Sequence, residues 1–260
     1  MSVWARLSSA ARRHPFRSAS IALLLLIGFL LAAISVLLYT EPGRNALARY
    51  LEQAVSTPGE IDVDIGRLQG ALPFQVRIDR ITVADRDGDW LAVHDFEFEW
   101  SPLKLMSARL RVDSVGAREV AIMRRPATQV GAPSAPTERP AISLPPLEVD
   151  LESLKIDDLR LEEAVLGQSA NLSLSASATA LRDQAGARLT VERTDGLPGQ
   201  ARAILEWDAA AESLDIEGFL SEPANGLLAN LLDLPGRPPL DISVNGEGPA
   251  GDWRGHLEVG

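Results

Sequence analysis

Cysteine is absent from this 260-residue chain. Its absence excludes a disulfide framework, a Cys-ligated zinc and a thiol nucleophile, and it suits an exported protein that avoids stray oxidation. Aromatic residues make up 5% of the chain and histidine occurs only three times. His14 precedes the apolar run, and His94 and His256 stand alone within strand patterns. No H-E-x-x-H, G-x-S-x-G, P-loop or dinucleotide-binding glycine pattern occurs. The expectation is a non-enzyme with no cofactor and no metal, and a hydrolase would have to rely on His94 or His256. Asp85-Arg86-Asp87-Gly88-Asp89 superficially resembles a calcium loop, but an EF-hand needs twelve residues, a terminal bidentate Glu and two flanking helices. Trp90 and Leu91 begin a strand instead, so the segment reads as a hairpin turn. Adjacent acids, Asp157-Asp158 and Glu162-Glu163, read as solvated strand edges or turns.

Charge is unevenly placed. Residues 1–17 hold Arg6, Arg12, Arg13 and Arg17 and no acid, and the 23 residues from Ser18 to Thr40 hold no charge. The remaining 21 of 25 basic residues then face all 36 acids, a net of −15 beyond Glu41. A domain this acidic has little means of holding phosphates, which excludes nucleic acid as a partner. As a helix, 23 residues reach about 34 Å at 1.5 Å each, enough for a hydrocarbon core of about 30 Å. A cleaved signal peptide is the alternative, but the apolar run continues through Ile34, Val36, Leu37, Leu38 and Tyr39, past the processing candidates Ala33 and Ser35. Residues 1–17 are expected to be a cytoplasmic basic tail and 18–40 an uncleaved signal anchor. The arginines hold the N-terminus in the cytoplasm, and everything after Glu41 is expected to be translocated.

Thr40-Glu41-Pro42 starts a helix expected over 41–57, with a hydroxyl cap, an early acid and a first-turn proline. Leu47, Leu51 and Val55, with Tyr50 beside them, form a stripe that reads as packing. From Ile61 the apolar period becomes two: Ile61, Val63 and Ile65; Val76 and Ile78; Phe96, Phe98 and Trp100; Leu147, Val149 and Leu151. Leu172, Leu174, Ala176 and Ala178 continue it, as do Leu189 and Val191, Ala203, Leu205 and Trp207, then Leu240, Ile242 and Val244, and Trp253, Leu257 and Val259. Turn signals at Asp87-Gly88, Asp195-Gly196 and Asn245-Gly246 punctuate a pattern of about fourteen strands. Residues 126–146, with six prolines, read as a linker or exposed loop between a first β section, 58–125, and a second, 147–260. A second short helix is expected at 225–234, behind an Asn225 cap and ending at Pro235-Gly236.

Alternating strands have one dry face. That face either packs on a second sheet as a sandwich or stays open as a lipid surface in a curved trough, where each buried CH₂ is worth about 0.8 kcal/mol. Composition leaves both open.

The order of several segments bears on the choice. Thr40-Glu41-Pro42-Gly43, then Gly66-Arg67-Leu68-Gln69-Gly70-Ala71-Leu72-Pro73, is followed by Ile81-Thr82-Val83-Ala84-Asp85, Gly88-Asp89-Trp90-Leu91, Trp100-Ser101-Pro102 with Leu105, and Arg124-Arg125-Pro126. Leu231-Leu232-Asp233-Leu234-Pro235, Pro239-Leu240, Gly246-Glu247-Gly248 and Asp252-Trp253 come later. Together with the anchor, this succession resembles the N-terminal part of the TamB family, the inner-membrane components of the translocation and assembly module within the AsmA-like group of bridge-like lipid carriers. The resemblance covers nearly the whole chain and is loosest in the proline-rich stretch. It implies a mainly β fold, in which a transmembrane helix leads into a curved antiparallel β-sheet trough, β-taco-like, with two short helices. It also implies phospholipid transport toward the outer membrane and support of outer-membrane protein and autotransporter assembly. The candidate groove-lining, lipid-binding residues are Ile61, Val63, Val76, Ile78, Phe96, Phe98, Leu172, Leu174, Leu205 and Ile242. Gly260 falls inside a strand pattern, so the chain is expected to be a piece of a longer protein. A TamA-like outer-membrane partner is implied only for the full-length chain. A scaffold that engages outer-membrane polypeptides without conducting lipid is the alternative.

Overall fold

The computed structural model describes residues 40–56, 61–127, 147–249 and 251–260. Apart from Thr40, the expected anchor lies outside them. Among the described residues no helix is long and apolar enough to cross a membrane. The chain divides into two compact units, Met1–Leu47 and Ala48–Gly260, with the boundary inside helix α1 (Glu41–Val55). Thr40 Oγ accepts the Gly43 N–H at 3.3 Å, the expected hydroxyl cap. The expected packing of the stripe is not observed: Tyr50, Leu51 and Val55 are exposed. The side of α1 that meets the rest of its unit is one residue further round, at Ala48 and Glu52. Ala48 is buried, and Glu52 Oε1 accepts the Ile65 N–H at 2.9 Å. Just after the helix, Ser56 Oγ accepts the Val63 N–H at 3.0 Å, so polar side chains close a sheet edge that would otherwise be open.

Beyond α1 the fold is mainly β, a single open sheet. Its strands are β1 (Asp62–Ile65), β2 (Leu68–Gln69), β3 (Gln75–Asp85), β4 (Gly88–Trp100), β5 (Arg109–Ile122) and β6 (Glu148–Leu161). β7 (Ala170–Ala180), β8 (Gln184–Arg193), β9 (Gln200–Asp208), β10 (Ser213–Glu222), β11 (Leu240–Pro249) and β12 (Arg254–Val259) complete it. β2 pairs with β3 beside β1, and from β3 to β12 the spatial order follows the chain. Every pairing is antiparallel except β5 with β6, which is parallel. That pairing joins the two expected β sections into one sheet. A parallel pair needs a crossover, and the proline-rich segment supplies the connection. It leaves β5 after Ile122 and re-enters where the Glu148 N–H meets the Ala108 carbonyl, beside the opposite end of β5.

Twelve strands are found among the described residues, where about fourteen were expected. The long strands carry breaks of parity. Apolar residues there are three apart instead of two: Ile78 to Ile81 in β3, Val93 to Phe96 in β4, Ala117 to Val120 in β5 and Ile156 to Leu159 in β6. Each break holds two polar residues, Asp79-Arg80, His94-Asp95, Arg118-Glu119 and Asp157-Asp158. The breaks lie side by side, since Asp79, Asp95, Arg118 and Asp157 are skipped in the ladders. Ile65 and Leu68 flank a fifth break at Gly66-Arg67, where the Arg67 N–H and Nε reach the Asp79 carboxylate at 2.7 and 3.0 Å. A Cβ on Gly66 would overlap that carboxylate. Asp95 takes a left-handed conformation, φ 50°. The result is a crease across the strands, of the bulge type that bends a strand and re-aims its side chains.

Further expectations are corrected. Asn245-Gly246 is not a turn but lies mid-strand in β11, because the indole of Trp253 covers Gly246 and Gly255 and leaves no room for a Cβ at either. Among the described residues three short helical segments, not one, interrupt the strands. The 3₁₀ segment Pro102–Ser107 joins β4 to β5, helix α2 (Glu163–Leu166) follows β6, and helix α3 (Leu227–Leu231) follows β10. Glu162-Glu163 therefore opens a helix. Asn225 is not the cap of α3; it is left-handed at φ 61°. The N–H groups of Leu228 and Ala229 go instead to the Glu222 carboxylate, at 2.9 and 2.8 Å. The expected Asp87-Gly88 hairpin is present, with Gly88 at φ 103° and the Asp87 N–H on Asp85 Oδ1 at 2.8 Å.

Candidate functional site

Directly opposed residues in a ladder project from the same face of a sheet. β7 alternates without a break, so Ala170, Leu172, Leu174, Ala176 and Ala178 share one face. Two register shifts in β6 place Leu161, Leu159, Ile156, Leu154 and Leu151 opposite them. The parity breaks therefore keep the apolar residues of β6 together on one face. The parallel register passes the same face to Ile122, Val120, Ala117, Val115 and Val112, and antiparallel pairing carries it on to β4 and β3. One row runs Ile78, Phe96, Ala117, Ile156, Leu174, Val191, Ala201, Leu220, Ile242, Val259. A parallel row starts from Val76 and Phe98 and ends at Val244 and Leu257.

Nine of the ten candidate residues fall on this face. Val76, Ile78, Phe96, Phe98, Leu172, Leu174, Leu205 and Ile242 lie in its rows, and Val63 joins through Val83. Ile61 sits just outside β1 and is exposed. Sequence reasoning missed the members on β5 and β6, such as Val115, Ala117, Leu154 and Ile156, although the repeated three-residue spacing was their signal. Among the described residues no second sheet covers the face. The buried apolar side chains are few, and among the described residues no large side chain is completely buried.

The opposite face is polar. Arg111 pairs with Asp113 and Asp150, Arg109 with Glu148, and Arg160 bridges Glu119 and Asp158 across the parallel seam. Two wide hollows, of about 460 and 620 Å³, have linings that include Arg188 with Glu206 and Arg202 with Glu217. Neither brings together a set of buried catalytic groups. At the turn from β3 to β4, hydrogen bonds from Arg124, and then from the Ala127 N–H, hold the Asp85 carboxyl well below the usual carboxylate range. This fastens the chain after β5 to the hairpin. His94 lies opposite Arg80 and Glu119 in the crease, and His256 contacts Glu258 at 3.2 Å. No group of His, Asp and Glu able to hold a metal occurs among the described residues.

Where β7 to β10 end near α2 and α3, the apolar face carries a smaller cavity of about 190 Å³ under Leu227, Leu228 and Leu231. Arg193 borders it, with its side chain 4% exposed and paired to Asp195. Hydrogen bonding from Arg193 lowers the Asp195 carboxyl from its ordinary value. The arrangement offers an extended apolar surface and a small, mainly apolar chamber, with Arg193 at its border and Glu222 in its lining. No family model, no curated protein and no solved structure matches the chain.

Proposed function

We propose that the chain is the N-terminal portion of a TamB-like envelope-biogenesis protein, anchored in the inner membrane, with its β sheet in the periplasm. Its apolar face is a passive track for phospholipid acyl chains moving toward the outer membrane, and through it the protein supports outer-membrane protein and autotransporter assembly. One observation carries this reading: rows of apolar side chains continue from β3 to β12 on one face of the sheet, and among the described residues no second layer covers it. Nine inter-strand steps of about 4.8 Å give a lane of about 43 Å. Hydrocarbon on such a surface is stabilised by the same transfer free energy as a core, about 0.8 kcal/mol per CH₂, and needs few polar contacts. In this reading the aligned breaks bend the sheet into a trough with the apolar residues inside. A photo-crosslinking amino acid at Val76 or Phe98 captures phospholipid, while one at Glu97, on the polar face, does not. Equal capture at both faces defeats the reading.

A second reading, a scaffold for outer-membrane polypeptides, is favoured by β12, whose residues Arg254–Val259 are all exposed and which pairs on one side only among the described residues. Strand addition there would use backbone hydrogen bonds. Crosslinks from β12 to nascent barrel proteins, without lipid at Phe98, would select it. Contact with a TamA-like protein is assigned to neither region.

A further inference from the structure

The cavity beneath α3 differs from the rest of the apolar face in having a cover. Its floor is Leu172, Val191, Ala201 and Leu220. Three of these are members of the row from Ile78 to Val259, so the chamber is continuous with the long lane. Its lining contains no aromatic ring, and aliphatic walls suit a flexible hydrocarbon chain. At about 30 Å³ per water-sized group it holds roughly six such groups. Arg193, the last residue of β8, stands at the rim. Asp195 engages its Nε and Nη2 at 3.1 and 2.6 Å, and Nη1 lies outside that pair. A guanidinium presents enough donors to serve a carboxylate and a phosphate together.

Glu222, buried at 9% exposure, ties the cover to the sheet by accepting two N–H groups from the first turn of α3, and the Gln168 side chain donates to the Asn225 carbonyl beside it. A Cβ on Gly226 would strike its carboxylate, so the approach requires glycine. A five-residue helix has no stability of its own. Residues with positive φ flank it, Asn225 at 61° and Asp233 at 49°.

We propose that this chamber takes a segment of about six carbons of one phospholipid acyl chain, with the phosphate toward Arg193, α3 as the cover and Glu222 as its latch. The proposal rests on the lipid-track reading and adds a defined loading point to it. The test uses the full chain in mild detergent with phosphatidylglycerol carrying a diazirine in one acyl chain, and adducts are mapped by peptide mass spectrometry. Adducts are expected on the peptides holding Val191 and Leu220 as well as on Phe96–Phe98. Ala201→Phe fills the chamber and lowers the former at least about tenfold, leaving the latter. Arg193→Gln lowers the chamber adducts too, and does so for the phospholipid but not for a diazirine-bearing hydrocarbon without a head group. Unchanged chamber adducts in Ala201→Phe overturn the proposal while the track stands. Adducts in the chamber alone sink the track and leave the chamber.

The latch has its own readout, because the chain has no cysteine and Ala229 is 0% exposed. In Ala229→Cys the thiol reacts slowly with maleimide, and adding Glu222→Gln speeds labelling about tenfold with the sheet intact by circular dichroism. Equal rates would show that Glu222 does not hold the cover, and would overturn that part even if Ala201→Phe failed to fold.

Discussion

The sheet has two regions that build the same apolar face by different means. From β3 to β6 the strands are long, creased and laced with ion pairs, and the face carries Phe96, Phe98 and Trp100 beside Val, Ile and Leu. From β7 to β12 the strands are shorter and alternate strictly, and the face thins to Ala176, Ala178, Ala187, Ala201, Ala203, Gly218 and Gly246. Buried strand residues occur in both regions, Ile78, Val112 and Ala117 in the first and Ala170, Leu172 and Leu240 in the second, but large apolar strand residues are exposed only in the second, at Leu189, Leu205, Leu257 and Val259 among others. The comparison separates continuity from burial. A face can run unbroken across a sheet while only part of it contributes a core.

The strongest way to break that distinction is to shorten side chains at its extremes. Ile78→Ala, at 6% exposure, is expected to cost about 2–4 kcal/mol. Leu257→Ala, at 63%, should cost less than about 0.5 kcal/mol. Urea unfolding midpoints measure both, and equal losses would mean that the second region is as well packed as the first. Next in size is the Trp253 seat at the far edge. Gly255→Ala should destabilise by about 1–3 kcal/mol through overpacking, and Trp253→Ala in the same chain should restore most of it. A double mutant no more stable than the single would remove the indole as the reason for glycine.

Smaller effects come from charge. The Asp195 carboxyl titrates below its unfolded value of about 3.9 because Arg193 donates hydrogen bonds to it. Its contribution is therefore complete above the unfolded value and disappears as pH falls through the lower folded one. Asp195→Asn should be less stable than the parent at pH 7, with the gap narrowing as pH falls below about 4; a gap that does not narrow in acid would contradict this. Smallest of all is Arg188→Ala, which removes an exposed pair with Glu206 and should change stability by less than about 0.5 kcal/mol. Arg111→Ala, at the parallel seam, should exceed it, because its Asp150 partner is only 18% exposed.

Much of the fold was legible because strict alternation leaves few choices. Leu172 to Ala178 read correctly as one strand, and Thr40 with Pro42 marked α1 correctly. The pairing of β5 with β6 was not legible, since the proline-rich segment reads as a separator whether or not its flanks are neighbours. The crease was hidden for a different reason: a three-residue apolar step looks like the end of one strand and the start of another. Only its repetition at Ile65, Ile78, Val93, Ala117 and Ile156 reveals a shared line. Asn245-Gly246 misled because glycine serves turns and close contacts alike, and the contact partner, Trp253, lies seven residues further on. The Glu222 cap was invisible because a capping carboxylate can come from a preceding strand. The candidate face was recovered in part, with its middle section missing wherever parity changed.

The parallel seam also shapes how the molecule must assemble. Most other junctions in the sheet join strands that are close neighbours in sequence, so pieces on either side can nucleate through local contacts and zip up quickly. At β5 and β6 the partners lie 39 positions apart, as Arg109 opposite Glu148 shows. Closing that gap carries the larger loop entropy and makes it the natural late step. The ion pairs concentrated there, Arg109 with Glu148 and Arg111 with Asp150, then act as a mating key that fixes which two preformed ribbons meet and in what alignment.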